Sequence, residues 1–197
     1  SDNPSPLYIA CQYNHVDLVR FLLETGADAS QTNENGASPL AIACQYNHVD
    51  VARLLLENGA PVDQAKDDGA SPLFIACQDN NVDLARLLHG KNAAVNKAMR
   101  DGCSPLAIAS YRGHIEVARF LLENGGHVNQ SNSDGVSPLC AACHQGHLDV
   151  VHVLLRHDAD INQADNNGWS PLYTSLLEDH DVIAQLLLAE GADADYA

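Results

Sequence analysis

The residues most suggestive of chemistry are Cys140-Ala141-Ala142-Cys143-His144. Two thiols three positions apart with an adjoining imidazole match the redox Cys-x-x-Cys pair and also the string to which haem is covalently attached. Histidine supplies a second candidate. His15, His48, His114, His147 and His180 recur along the chain, and His144, His147, His152 and His157 crowd one stretch in a pattern suited to adventitious zinc. Charge supplies a third. Arg20, Arg53, Arg86 and Arg119 each follow an acid by three residues, namely Asp17, Asp50, Asp83 and Glu116. What these groups can do depends on the elements that carry them.

Those elements repeat. Ser-Pro-Leu begins at Ser5, Ser38, Ser71, Ser104, Ser137 and Ser170, always 33 residues apart, with no insertion or deletion. A fixed period of this size marks an architecture in which each unit buries its apolar face on its neighbours. Each copy also predicts a helix start. The serine hydroxyl can accept from an orphan backbone N–H, and proline suits the first helical position, where its missing N–H costs nothing. The repeats run over 1–33, 34–66, 67–99, 100–132, 133–165 and 166–197, as one repeat domain over 1–197 whose first copy is cut short at its arm and whose last is cap-like.

In the second repeat, Leu40, Ala43 and Cys44 share one face of a short inner helix. Asn47-His48 forms a break. A second helix follows from Val49 to Glu57, with Val49, Ala52, Leu55 and Leu56 as its apolar stripe and Asp50 complementing the dipole of its first turn. Gly59 ends it. The equivalent residues, Gly26, Asn92, Gly125, Asp158 and Gly191, all tolerate the left-handed backbone of a helix C-terminal cap. The polar, turn-rich stretch over 61–69 predicts an extended arm closing on Asp68-Gly69.

The period also accounts for most of the candidate chemistry. Cys143 falls in the slot of Cys11, Cys44 and Cys77, and Cys140 in the slot of Ala41 and Ala107. Both are expected to be small buried packing residues with slow thiols. Histidines one repeat apart are too distant to share an ion whose ligand bonds are about 2 Å, and are expected to hydrogen-bond the turn backbone. The acid–arginine pairs are expected to form a solvated ladder worth a few tenths of a kcal/mol each, roughly. Outside the repeat pattern there is no nucleophile–base–orienter set, no phosphate-cradling glycine loop and no carboxylate pair in an expected cleft, so no catalytic residue, metal site or cofactor is expected.

Composition narrows the partner. The chain carries 26 acidic residues against 10 Lys and Arg, a net charge of −16, so it repels phosphate backbones and anionic lipid. Nucleic acid and membrane are poor partners, and a protein with a basic or polar surface is a better one. No apolar run is long enough to span a bilayer. Six cysteines without a secretory signal read as reduced thiols of an intracellular, cytoplasmic protein.

Asp-Gly-x-Ser-Pro-Leu, a run of small residues, a histidine at the helix–helix break and Leu-Leu-x-x-Gly-Ala together resemble the ankyrin repeat, with serine for the commoner threonine of its Thr-Pro-Leu-His signature. The histidine after Pro-Leu is replaced throughout, by Tyr8, Ala41, Phe74, Ala107, Cys140 and Tyr173, and Gly-His survives only at Gly113-His114 and Gly146-His147. The resemblance covers essentially the whole chain. It implies an all-α repeat solenoid of stacked helix–turn–helix units with projecting β-hairpin-like arms, acting as a non-enzymatic protein–protein interaction module through a concave groove of arm tips and inner helices.

With the repeat framework subtracted, the candidate partner-binding residues are Tyr13, Tyr46, Asp67, Asp68, Asp79, Arg100, Asp101, Tyr111, Arg112, Asp134, His144, Gln145, Asn167 and Trp169. Aromatic residues and arginine are over-represented among interface hot spots. Asn162, in Leu154-x5-Asp160-x-Asn162, resembles the context in which asparagines of some ankyrin repeats are hydroxylated, although an arm residue bonding its own turn is the simpler reading. A spacer segment of a longer array is the alternative function. A thiol or redox protein would need reactive Cys140 and Cys143, and six cysteines with irregular fourth and sixth repeats argue against a designed binder. The first repeat copies the second closely, so its N-terminal face lacks a polar cap and is expected to support weak self-association.

Overall fold

The computed structural model describes residues 4–195, so the extreme ends of the first and last expected repeats lie outside it. Among the described residues there are twelve helices in six pairs. The pairs are α1 (Pro6–Gln12) and α2 (Val16–Glu24), α3 (Pro39–Gln45) and α4 (Val49–Glu57), α5 (Pro72–Gln78) and α6 (Val82–His89), α7 (Pro105–Arg112) and α8 (Ile115–Glu123), α9 (Pro138–His144) and α10 (Leu148–Leu155), and α11 (Pro171–Leu177) and α12 (Asp181–Ala189). The chain divides into two compact units, Ser1–Arg100 and Asp101–Ala197. In each unit the first helices of successive pairs pack side by side, and so do the second helices.

Every predicted helix start is in place. Each Ser-Pro-Leu serine is extended, and its hydroxyl accepts the N–H three residues on at 3.1–3.2 Å, from Tyr8, Ala41, Phe74, Ala107, Cys140 and Tyr173. Helices of seven to nine residues are too short to persist alone, since isolated helices need roughly 12–15 residues. Packing holds them. Leu40, Ala43 and Cys44 are fully buried, as are Ala52 and Leu55. The stripe of α4 is wider than the expected one: Val51 and Leu54 are buried as well, while Val49 at the helix start is partly exposed. The positions that end the second helices, Gly26, Gly59, Asn92, Gly125, Asp158 and Gly191, all have positive φ, between 62° and 95°.

The arms are loops, and among the described residues no strand forms. Each arm is closed by its own turn. In the arm between α3–α4 and α5, the Lys66 N–H donates to the Ala70 carbonyl at 3.0 Å and the Gly69 N–H to the Lys66 carbonyl at 2.9 Å. Successive arms are linked by single backbone bonds: Asp67 N–H to Asn35 O and Arg100 N–H to Asp68 O in the first unit, Ser133 N–H to Asp101 O and Asn166 N–H to Asp134 O in the second. One bond per neighbour is too few to make a ladder. The tip glycine is required at this approach, since a Cβ on Gly69 would lie 2.6 Å from Arg100 N.

Candidate protein-binding surface

The side chains that tie the repeats together are polar and periodic. His48 Nε2 lies 3.1 Å from Gln12 O, His147 Nε2 3.0 Å from Tyr111 O, and His180 Nε2 3.3 Å from His144 O. Each ring thus donates to the last turn of the preceding inner helix and not to its own turn, which refines the expected role. A second column, invisible to local reading, serves the arms. Gln64 Nε2 donates to Ser30 O at 2.8 Å, Gln163 Nε2 to Asn129 O at 3.2 Å, and Lys97 Nζ to Asp63 O. The recurrence of Gln31, Gln64, Lys97, Gln130 and Gln163 at the 33-residue step was the available signal.

Asn162 belongs to this framework. Its amide oxygen accepts the Asp193 N–H at 2.9 Å and its own N–H donates to Asp160 at 3.0 Å. Asn129 and Asp63 hold the following arm in the same way, through the Asp160 and Ala94 N–H groups.

The three chemical candidates resolve as follows. Cys11, Cys44, Cys77, Cys140 and Cys143 are buried, and burial pushes the thiols of Cys11 and Cys44 up to about 12 and those of Cys140 and Cys143 in the same direction. Such thiols are poor nucleophiles, because the thiolate is the reactive form. Cys103 is half-buried, with its thiol raised to about 11 by burial and by Asp101. His144, His147, His152 and His157 do not converge: among the described residues no three His, Cys, Asp or Glu side chains form a metal-sized group. Among the described residues, no ion pair joins Asp17 to Arg20, Asp50 to Arg53 or Glu116 to Arg119, so the expected ladder is not formed between these partners. Exposed i, i+3 charges gain little by pairing, and side-chain entropy keeps them apart.

What remains is the surface of arm tips and inner-helix ends. All fourteen residues read from the sequence as candidates are exposed. In the first unit, Asp68 and Asp79 line a cavity of about 390 Å³ together with Gln45, Lys66, Phe74, Ile75 and Met99. Lys66 pairs with Asp68 at 3.3 Å. Burial pushes the Asp68 carboxyl up, but the Ala70 N–H and the Lys66 ammonium outweigh it and hold the group below its usual value. Asp67 and Arg100 sit on the tips of adjacent arms, and Tyr13 and Tyr46 stand at the ends of α1 and α3. The Tyr46 ring stacks on His48 with centroids 6.0 Å apart.

In the second unit, Asp101, Asp134 and Asn167 occupy arm tips, and Tyr111, Arg112, His144 and Gln145 the ends of α7 and α9. The Tyr111 ring stacks on His144 at 6.4 Å, and His144 Nδ1 lies 3.3 Å from Glu178. Trp169 lies against Tyr173, centroids 5.7 Å apart, at the mouth of a slot of about 190 Å³. Tyr173 carries no sign of a site role in the sequence, where it only replaces the histidine of the repeat signature. Its place follows from the last arm, which sets Trp169 against it.

The geometry matches a known class. The family described as "Ankyrin repeats (3 copies)" matches residues 1–66, 60–132 and 124–197. The chain therefore belongs to the ankyrin-repeat family and is an all-α repeat solenoid. Among solved structures it is similar to the human ASB11 ankyrin repeat domain, at 28% identity and a TM-score of 0.88 over 98% of this chain and 86% of that one. It is equally similar to an ankyrin repeat domain from Acinetobacter baumannii, at 28% identity and a TM-score of 0.88 over 95% and 98% of the two chains. No curated protein matches the chain significantly. Ankyrin repeat domains are generally protein–protein interaction modules without chemistry of their own. Among the described residues no helix is long and apolar enough to cross a membrane.

Proposed function

We propose that this chain is a non-enzymatic binding module, acting inside the cell, that holds another protein against its arm tips and inner-helix ends. The observation that carries this reading is the placement of large aromatic side chains in solvent on that surface. Tyr46 at the end of α3, Tyr111 near the end of α7 and Trp169 on the last arm are each more than two-fifths exposed, while Leu40 and Ile42 of α3 and Leu106 and Ala109 of α7 are buried. Exposed aromatic groups beside carboxylates offer contact area and orientation to a partner. The charge of −16 selects a basic or polar protein surface and opposes nucleic acid and anionic membrane.

The test is affinity capture from a cell lysate with this chain beside a Tyr46→Ala, Tyr111→Ala, Trp169→Ala version of matched helicity. A protein held by the first and lost by the second supports the surface. Identical captures, or none, overturn it and favour a spacer.

A second reading, weak self-association, rests on a separate observation. On the first helix pair, Ile9, Leu18 and Phe21 are exposed, whereas the residues one period on, Ile42, Val51 and Leu54, are buried under that pair. The apolar face of α1 and α2 thus has the chemistry of a face that elsewhere in the chain is covered.

A further inference from the structure

We propose that the slot beside Trp169 is the anchor of the interface, taking one aliphatic side chain of leucine size from a partner segment whose adjacent residue is Lys or Arg. The proposal rests on the binding-module reading above and adds to it the part of the surface that dominates and the residue pair it recognises.

The slot is lined by Val136, Cys140, His144, Asp165, Trp169 and Thr174. Its volume of about 190 Å³ is below the range of roughly 300–1,000 Å³ typical of small-molecule pockets, and suits a single side chain. Cys140 and Thr174 are buried and form the floor, while Trp169 and His144 are exposed and form the rim.

The polar atoms of Asp165, Cys140 and His144 that border the slot have partners of their own. One oxygen of Asp165 accepts the N–H groups of Asn167 and Trp169, both at 2.9 Å, and the other accepts from the Asn167 amide. The Cys140 thiol donates to Gln163 O at 3.4 Å, and His144 Nδ1 faces Glu178. Apart from the Thr174 hydroxyl, the slot therefore offers ring and hydrocarbon surface to an occupant, and a charged group placed there would lose its water without a matching partner.

The framework does not ask for tryptophan at this position. Its equivalents are Ala37, Ala70, Cys103 and Val136, and both alanines are buried. An indole here projects from the arm tip and walls a cavity.

Charge sets what flanks the occupant. Glu178 stands at the rim beside His144, and residues 101–197 hold fourteen acidic residues against three arginines and no lysine. A basic residue next to the aliphatic one meets this field.

Trp169 is the only tryptophan, so its emission reports the slot directly. A phage library of random 12-residue peptides is selected on the whole chain at low salt. Enriched peptides are then measured on the chain and on Trp169→Ala, which restores the residue that two other repeats hold at this position and so should fold. The expected result is enrichment of Leu, Ile or Met beside Lys or Arg, a blue shift of Trp169 emission on binding, and affinity weakened about tenfold or more in Trp169→Ala. Arg53→Ala, an exposed position on the outer helix α4 and outside the proposed surface, should bind these peptides unchanged. Enriched peptides that bind Trp169→Ala as well as the parent, or that lack the aliphatic–basic pair, overturn the anchor and leave the binding surface standing. No enrichment on any version overturns both.

Discussion

His147 Nε2 donates to the carbonyl of Tyr111, 3.0 Å away and 36 residues back, across a joint between helix pairs. The same step joins His48 to Gln12 and His180 to His144. The bond holds the last turn of one inner helix against the start of the next outer helix. It also fixes the backbone beneath Tyr111 and His144, two residues of the proposed surface.

Removing that donor leaves a carbonyl without its partner. His147→Ala should cost about 1 kcal/mol, the net worth of a hydrogen bond between protein groups. His15 at the equivalent place on the first helix pair faces Tyr13 in solvent, and His15→Ala should change stability by less than about 0.5 kcal/mol. Urea unfolding followed by helical circular dichroism compares the two.

Two glycines with similar backbones separate strain from crowding. Gly59 and Gly69 have φ of +83° and +93°. A Cβ on Gly59 meets nothing within 4 Å, so Gly59→Ala carries only the left-handed cost of about 1–2 kcal/mol. A Cβ on Gly69 would lie 2.6 Å from Arg100 N and 2.9 Å from the Met99 backbone, and would push apart the bond from Arg100 N–H to Asp68 O. Gly69→Ala should therefore lose about 3 kcal/mol or more. Equal losses in thermal unfolding would mean that the arms do not press on one another.

The buried thiols make the fold sensitive to alkali. Cys11 and Cys44 are raised to about 12 in the folded chain, against about 8.5 unfolded. Above pH 9 the unfolded chain sheds these protons while the folded chain keeps them. Stability is therefore full below pH 8 and falls as pH rises toward 12. By pH 10 each thiol should remove roughly 1–2 kcal/mol, and Cys44→Ala should show a shallower decline. Urea midpoints at pH 7, 8, 9 and 10 measure it, and a flat profile would show that these thiols ionise in place.

The exposed face of α1 and α2 gives a concentration test. Sedimentation velocity from micromolar to millimolar chain should show association that Phe21→Asp abolishes, because a carboxylate cannot enter a dry apolar contact. Phe21 is 59% exposed, so the substitution should leave the folded chain intact. A monomer at every concentration would end the self-association reading.

Much of this fold could be read because its determinants are local and recur. Ser71 caps α5 through the N–H three residues on, Val49–Glu57 falls on the helix read from its apolar spacing, and Asn92 and Asp158 adopt positive φ where glycine stands in other copies. Exposure of the candidate residues could be read as well, since subtracting the framework leaves the positions that packing does not need. The features that escaped depend on partners a period away. Gln64 and Lys97 carry no local sign that their ends reach Ser30 and Asp63. The Asp50–Arg53 spacing permits an ion pair without requiring one, and in water the two stay apart. The Trp169 slot escaped because it is a volume: Val136, Cys140 and Thr174 surround it from three different elements.

The joints of Gln64 to Ser30, Lys97 to Asp63 and Gln163 to Asn129 are each made by a side-chain nitrogen donating to a backbone carbonyl at the same 34-residue reach. Thirty-three residues are thus a unit of inheritance as well as of packing. A gene that loses or copies one whole period yields a protein whose new joint is one it already knows. Excising residues 34–66 would bring Lys97 opposite Ser30, with Asp67 following Asn33 in an uninterrupted arm. Length in such a chain can drift by recombination without passing through a misfolded ancestor, while the arm tips, joined to one another through backbone atoms, leave their side chains to diverge.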